Sequence, residues 1–308
     1  MKKYISIIRV DNWVKNIFII PGVLMGLIFG DQLVGIRVFF EIILGIFATC
    51  LIASANYVIN EWLDRNYDKF HPVKKYRSSV SQDLNPNIIY ALYFLLLSAG
   101  LAISSLFSLQ FFTIQLLLVV MGLMYNVPPF RTKDIAYIDV ATESINNPIR
   151  FLLGWFLVTA SILPPSSVLI AYWAGGGFLM ALKRYAEYRK IGDKKLAVQY
   201  RRSFRGYSES SLLGSVVFYA SLSSFFLGIF LIKYRVEYLL IFPFISLLFT
   251  YYFILGLKPD SPVQYPERLY LENKLGLCVI LVFTVFVLLT FFDLPIIHFL
   301  LEKNDFIH

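Results

Sequence analysis

Apolar residues gather into long runs separated by polar stretches. A bilayer core takes roughly 20 apolar residues per helix. Runs of that kind lie near 17–34, 38–59, 87–107, 110–125, 138–160, 166–184, 211–232, 237–256 and 274–292, which predicts nine transmembrane helices. The fourth run is short, and polar residues interrupt the fifth. No internal repeat, low-complexity tract or linker divides the series, so residues 1–308 are expected to form one bundle domain.

The polar positions orient this bundle. With the N-terminus cytoplasmic, the inner segments hold 23 of the 28 Lys and Arg, in the blocks 2–15, 65–77, 131–133, 183–205 and 258–274. The opposite side keeps only Arg37, Lys233, Arg235 and Lys303, and Arg150 falls inside a span. The positive-inside rule then places residues 72–86 and 190–208 in the cytoplasm and His308 on the other side. The expected location is a bacterial inner (plasma) membrane. The inner loops near 60–87 and 184–210 are too charged to bury and long for connectors, whereas the outer connections are short. That asymmetry points to function on the cytoplasmic face.

Composition narrows the classes. The chain is 58% hydrophobic and only 16% charged, with mean hydropathy +0.67, which excludes an ordinary soluble domain. Cys50 and Cys278 lie inside apolar runs, so a disulfide framework, a zinc site or a redox pair is not expected. Only His71 of the three histidines sits among polar residues, which disfavours a histidine metal centre. Met1 to Lys15 is polar and the first apolar run continues into further helices, unlike a cleavable signal. A net charge of +8 admits nucleic acid, acidic headgroups or phosphorylated substrates. Its location in membrane-proximal loops beside carboxylates favours phosphorylated substrates at a lipid bilayer, with no nucleic acid. A homo-oligomer stays open.

Three constellations carry candidate chemistry. At the end of the second run, Asn60, Asp64, Asp68 and His71 fall within about 80° of helical arc. Two carboxylates and an amide on adjacent turns suit Mg²⁺, which binds hard oxygens and substrate phosphates. A solvated helix end would show similar periodicity, but Asn56 and Asn60 carry the polar face into the apolar run. His71-Pro72-Val73-Lys74-Lys75-Tyr76-Arg77 follows, where Pro72 is expected to end or kink the helix. Metal-binding acids beside Lys74, Lys75 and Arg77 make a diphosphate site, although positive-inside charge alone would also supply such cations.

The fifth run carries Asp139, Glu143, Asn146, Asn147 and Arg150 on one stripe, with Arg150 roughly 16 Å along the axis from Asp139. Ionisable residues in a span mark a cavity or path, or else pair as structural glue. After the sixth run come Lys183, Arg184, Glu187, Arg201, Arg202 and Tyr207 among many cations. The pairs Lys183-Arg184 and Arg201-Arg202 are the stronger candidates for phosphate contacts. No second paired-Asp motif stands there.

These residues resemble the UbiA superfamily of intramembrane transferases, with nine helices and Asn-x-x-x-Asp-x-x-x-Asp after helix 2, here Asn60, Asp64 and Asp68. The resemblance covers nearly the whole chain. It implies an all-α polytopic membrane fold whose nine helices surround a central cavity open to the cytoplasm, with Mg²⁺ on Asp64 and Asp68. Prenyltransferase members carry a second Asp-rich motif after helix 6, where this chain has Lys183-Arg184-Tyr185-Ala186-Glu187. That substitution looks like the decaprenyl-phosphate phosphoribosyltransferase branch. Arg9-Val10-Asp11-Asn12-Trp13-Val14-Lys15-Asn16 is similar to that branch's Arg-Pro-x-Gln-Trp-x-Lys-Asn. His71-Pro72-x-Lys74-Lys75-x-Arg77, the spacing of Asp139 and Arg150, and Pro266-Glu267 agree with it too. Val10, Asn12 and Ser78 depart from its pattern, and Tyr125 to Lys133, with Arg131, looks closer to prenyltransferase branches.

The resemblance implies transfer of 5-phosphoribose from phosphoribosyl diphosphate to a polyprenyl phosphate. In that scheme Asn60, Asp64, Asp68 and Asp139 are catalytic. Lys15, Lys74, Lys75, Arg77, Arg131, Lys133, Glu143, Asn147, Arg150, Lys183, Arg184, Glu187, Arg201, Arg202 and Tyr207 bind substrate, with Asp139, Glu143 and Asn147 at ribose hydroxyls. The alternative is prenyl transfer from a prenyl diphosphate to an aromatic or lipid acceptor. A lipid-phosphate or anion transporter would need a polar path to the outer face, and the last three runs are almost wholly apolar.

Overall fold

The computed structural model describes residues 2–30, 35–71, 73–265, 269 and 271–292. Pro72, the Pro266-Glu267 pair, Arg268, Lys303 and His308 lie outside the described residues. Every regular element among those described is helical. The 3₁₀ segment Val10–Ile19 leads into α1 (Ile20–Phe29), followed by α2 (Ile36–Asp68), α3 (Pro86–Ser104) and α4 (Leu109–Asn126). Then come α5 (Ile138–Ser144), α6 (Asn146–Val158), α7 (Ser166–Ile191), α8 (Lys194–Tyr200), α9 (Glu209–Tyr234), α10 (Phe242–Leu257) and α11 (Asn273–Phe291).

Among the described residues, seven helical stretches are long and apolar enough to cross a membrane: Lys3–Phe29, Ile36–Asp68, Pro86–Ser104, Leu109–Asn126, Glu209–Tyr234, Val236–Leu257 and Asn273–Phe291. The other two predicted runs are helical but fall short of that standard. The fifth is two helices parted at Ile145, and the sixth, α7, is diluted by Gly175, Gly176, Gly177 and Lys183. The stop signals are local. Asn85 caps α3 by accepting from the Asn87 backbone N–H, with Pro86 at the first helical position. Ser208 and Ser211 form a capping box that starts α9.

Exposed large side chains such as Phe39, Phe94, Leu95, Phe225 and Ile280 stud the outer helix faces, as a lipid-facing surface requires. Lipid is as apolar as the side chains, so close packing must hold the helices together. The broadest helix pairings are α7 with α9, α2 with α3 and α1 with α6. In the last, Gly22 lies against the Phe151 carbonyl and Gly154 against the Ile19 carbonyl. A Cβ on either glycine would strike backbone, so the two helices touch main chain to main chain. Phe111, Phe151 and Trp155 pack into one core, and Tyr185, Tyr200, Phe204 and Tyr207 into a second.

Candidate active site

A cavity of about 500 Å³ opens among the polar ends of these helices. Its wall comes from the N-terminal segment up to Lys15, α2 and the loop after it, the end of α4 and the following loop, α5 to α7, the end of α8 with Arg201, and the loop after α10. On α2, Asn60, Asp64 and Asp68 recur every fourth residue and all three line it. Asp64 accepts from Lys133 Nζ at 2.6 Å and from Arg131 Nη2 at 2.8 Å. Asp68 accepts from Arg77 Nη1 at 2.7 Å. Asn60 donates its amide to Asn126 Oδ1, which also accepts from Lys133 Nζ at 2.8 Å. With its NH₂ so engaged, Asn60 has a carbonyl oxygen with no donor among the described residues. Two carboxylates and this oxygen are the hard donors that Mg²⁺ takes, so the residues fit that ion.

Around these acids the backbone is held in unusual conformations. Arg131 has φ of 32° and Arg9 φ of 55°, a left-handed region that costs an ordinary residue of the order of 1–3 kcal/mol. Arg131 is kept there by bonds to Asp64, to Asp134 at 3.0 Å and to the Asn126 carbonyl at 3.0 Å. Burial draws the Lys133 ammonium down to about 8, with Asp64 opposing the shift.

His71 does not join the acids as its helical phase suggests. Its Nδ1 accepts from the backbone N–H groups of Val73 and Lys74 at 3.1 and 3.2 Å, which turns the chain after α2. Burial and the Lys74 charge hold it neutral, with a pKa of about 3. The turn sends Lys74 across to Glu187 on α7 at 3.2 Å and to the Tyr200 hydroxyl.

Asp139 does not reach the cavity. Its Oδ1 accepts from the Tyr207 hydroxyl at 2.7 Å, and its Oδ2 from Ser203 Oγ at 3.0 Å and Arg184 Nε at 3.2 Å. Arg201 Nη1 adds its charge at 3.7 Å. With no exposed surface and every oxygen engaged, Asp139 has nothing left for a ribose hydroxyl. Arg184 also donates to Glu187 at 2.8 Å and to Tyr125 at 3.1 Å. Tyr207 accepts from the Tyr137 N–H at 2.6 Å, so the loop after α8 is fastened to the start of α5. Tyr207 and Glu187 are themselves buried away from the cavity lining, and Asn147 packs against Gly176. Lys75 and Arg202 stand exposed outside the wall, Arg202 reaching Asp134 at 3.8 Å.

The remaining cations behave differently. Lys15 stands over the Tyr57 ring at 5.4 Å, Arg150 donates to Asn16 Oδ1 at 3.0 Å and to the Asn146 carbonyl at 3.2 Å, and Lys183 has no polar partner among the described residues. All three line the cavity, and none has a carboxylate within salt-bridge distance among the described residues. Glu143 also lines it. Among the lining residues beyond the predicted set are Arg9, Asn12, Asn126 and Gln264. Asn126 had a signal, since it lies within the Tyr125–Lys133 segment; Gln264 belongs to no pattern.

The fold has known counterparts. A decaprenyl-phosphate phosphoribosyltransferase of Mycolicibacterium smegmatis is 27% identical over 209 residues, which span 68% of this chain and 63% of that protein. The protein of the same name from Corynebacterium glutamicum is 25% identical over 210 residues, 68% of this chain and 60% of that one. The chain thus spans less than two thirds of the length of these relatives. A UbiA homolog from Archaeoglobus fulgidus, solved bound to DMAPP and Mg²⁺, superposes with a TM-score of 0.69 at 18% identity, covering 94% of this chain and 99% of that one. Its structure bound to GPP and Mg²⁺ gives 0.70 at 19%. The profile of the UbiA prenyltransferase family matches residues 19–270, a stretch that runs from the Val10–Ile19 segment through the acids of α2 to the loop after α10. This chain therefore belongs to the UbiA prenyltransferase family.

Proposed function

We propose that the protein transfers 5-phosphoribose from phosphoribosyl diphosphate to a polyprenyl phosphate at the cytoplasmic membrane face. The observation that carries this reading is the makeup of the cavity. Lys15, Arg150 and Lys183 offer positive charge that no protein carboxylate meets, and the aliphatic side chains of the lining are few: Ala53, Val73, Leu118 and Met180. A donor with two phosphorylated ends and a hydrophilic body suits such a wall better than a prenyl chain does. The loop after α7 adds to it, because Arg184 and Arg201 stand where a prenyl-diphosphate site would need acids. The names of the relatives agree with this substrate pair.

Asn60, Asp64 and Asp68 would hold Mg²⁺, which when bound neutralises the charge of a leaving diphosphate. Lys133, Arg131 and Arg77 bond the two carboxylates and lie beside the same space, so they bind and orient the diphosphate. Lys74, tied to Glu187, closes the clamp. The bond from the ribose anomeric carbon to the diphosphate oxygen breaks, the diphosphate leaves with the electron pair, and an oxygen of the acceptor phosphate bonds to that carbon. The acceptor is already ionised at neutral pH, so no general base is needed, in keeping with the neutral, backbone-bound His71. Lys15, Arg150 and Lys183 hold the remaining phosphate.

The proposal includes nine crossings, with α5/α6 and α7 spanning as well, one transferase unit over residues 1–308, and a cytoplasmic N-terminus. The test is direct: purified protein with Mg²⁺ and polyprenyl phosphate is given labelled phosphoribosyl diphosphate or labelled prenyl diphosphate. Ribose label entering lipid is expected. Label entering only from the prenyl donor would reduce the reading to prenyl transfer.

A further inference from the structure

Gln264, in the cavity wall, has no part in the phosphate handling described above. Gln264 closes the short turn Pro262–Gln264, which packs on α7, the helix that carries Lys183, and on α10. Its side chain lines the cavity and is 5% exposed. Neither Oε1 nor Nε2 has a hydrogen-bond partner among the described residues. Buried polar groups are rarely left in that condition without a functional reason. The turn does not need a glutamine. Ser261 Oγ accepts from the Val263 N–H at 3.3 Å, and the Tyr265 N–H donates to the Pro262 carbonyl at 2.9 Å, so side chain 264 plays no part in closing it.

A carboxamide presents an acceptor and a donor side by side without charge. A phosphate cannot use Oε1, because both are acceptors. A metal ion would use Oε1 and leave Nε2 unmet, and a hydrocarbon chain would satisfy neither. A pair of adjacent hydroxyls satisfies both: one O–H donates to Oε1 while the oxygen of its neighbour accepts from Nε2.

We propose that Gln264 recognises the vicinal diol of the pentose on the donor and so selects ribosyl over 2-deoxyribosyl diphosphates. This rests on the phosphoribosyl reading above. Sites that bond a substrate hydroxyl reject the analogue lacking it, because the protein's own polar atoms are then left unpaired.

The test measures kcat/KM of the purified full-length protein, with Mg²⁺ and polyprenyl phosphate, for phosphoribosyl diphosphate and for its 2-deoxy analogue. The wild type is expected to prefer the ribosyl donor at least tenfold. In Gln264→Met, of similar volume, the preference should fall below about threefold, with the loss borne by the ribosyl donor. Gln264→Asn, whose shorter amide withdraws from the diol, should lose it likewise and serves if the Met variant does not fold. A wild-type preference below threefold, or a folded variant that keeps the wild-type ratio, overturns the inference while leaving phosphoribosyl transfer intact. A wild type that transfers pentose from neither donor overturns the functional reading and this inference with it.

Discussion

Asp64 and Asp139 are both carboxylates gripped by arginine in the same bundle, yet they sit in opposite situations. Asp64 lines the cavity, and its partners Lys133 and Arg131 line it too, so acid and cations all face the same space. Asp139 is sealed, and its donors Tyr207, Ser203 and Arg184 are buried with it. An ion pair at a cavity wall is a reserve that a substrate can redistribute. An ion pair in the interior is a fastening, because removing either charge strands the other out of water.

The largest effect expected from this difference is a split between activity and fold. Asp64→Ala and Asp68→Ala should each bring turnover below detection while the detergent-solubilised protein stays monodisperse with a near wild-type melting temperature. Asp139→Ala should instead destabilise by roughly 3–5 kcal/mol, since Arg184 and Arg201 lose a buried counter-charge. A well-folded, active Asp139→Ala protein would erase the distinction.

Next in size come the cations without carboxylates. Arg150→Met and Lys183→Met should raise KM for the anionic substrates tenfold or more, each having lost a charge-assisted contact of about 1.5–3 kcal/mol. Their thermal stability should hold or rise, because neither has a counter-ion to strand. Arg184→Met, by contrast, should lose the fold. An unchanged KM in both variants would count against an anion held by these cations.

Neighbouring residues sharpen the comparison further. In the sequence Arg201 and Arg202 look like one phosphate-binding pair. In the structure Arg201 lines the cavity and reaches Tyr125 and Asp139, whereas the Arg202 side chain is 61% exposed. Steady-state kinetics of Arg201→Gln should show at least a tenfold loss in kcat/KM, and Arg202→Gln a change within about twofold. Equal losses would restore the pair.

The smallest effect concerns His71. Its folded pKa of about 3 lies below the ordinary 6.5, so between those values the unfolded chain binds a proton that the folded chain does not. The stabilisation is complete above about pH 6.5 and declines as pH falls towards 3. His71→Asn keeps an acceptor for the Val73 and Lys74 N–H groups and should flatten this acid limb in melting experiments. A wild-type profile in the variant would show that other groups set the limb.

What the sequence makes legible here follows from period and charge. The four-residue spacing of Asn60, Asp64 and Asp68 survives folding because one helix carries all three. Long-range partnerships leave no such trace. That Asp139 would be saturated by Ser203 and Tyr207, more than 60 residues away, depends on how α5 meets the loop after α8. The stripe from Asp139 to Arg150 fails for a local reason as well. The chain breaks at Ile145, so positions on a single ideal helix are divided between α5 and α6. His71 misleads because its phase is counted past the end of α2 at Asp68, where the turn begins.

The contact between α1 and α6 reaches further than packing. Gly154 lies four residues beyond Arg150 on α6, and Ile19, whose carbonyl Gly154 touches, lies three residues beyond Asn16, which Arg150 bonds. The glycines therefore act as a depth gauge. The distance at which main chain meets main chain sets how far the guanidinium projects into the cavity. A single methyl group added at position 154, one helical turn along α6 from Arg150, would shift that setting, and weaker anion binding is the expected result.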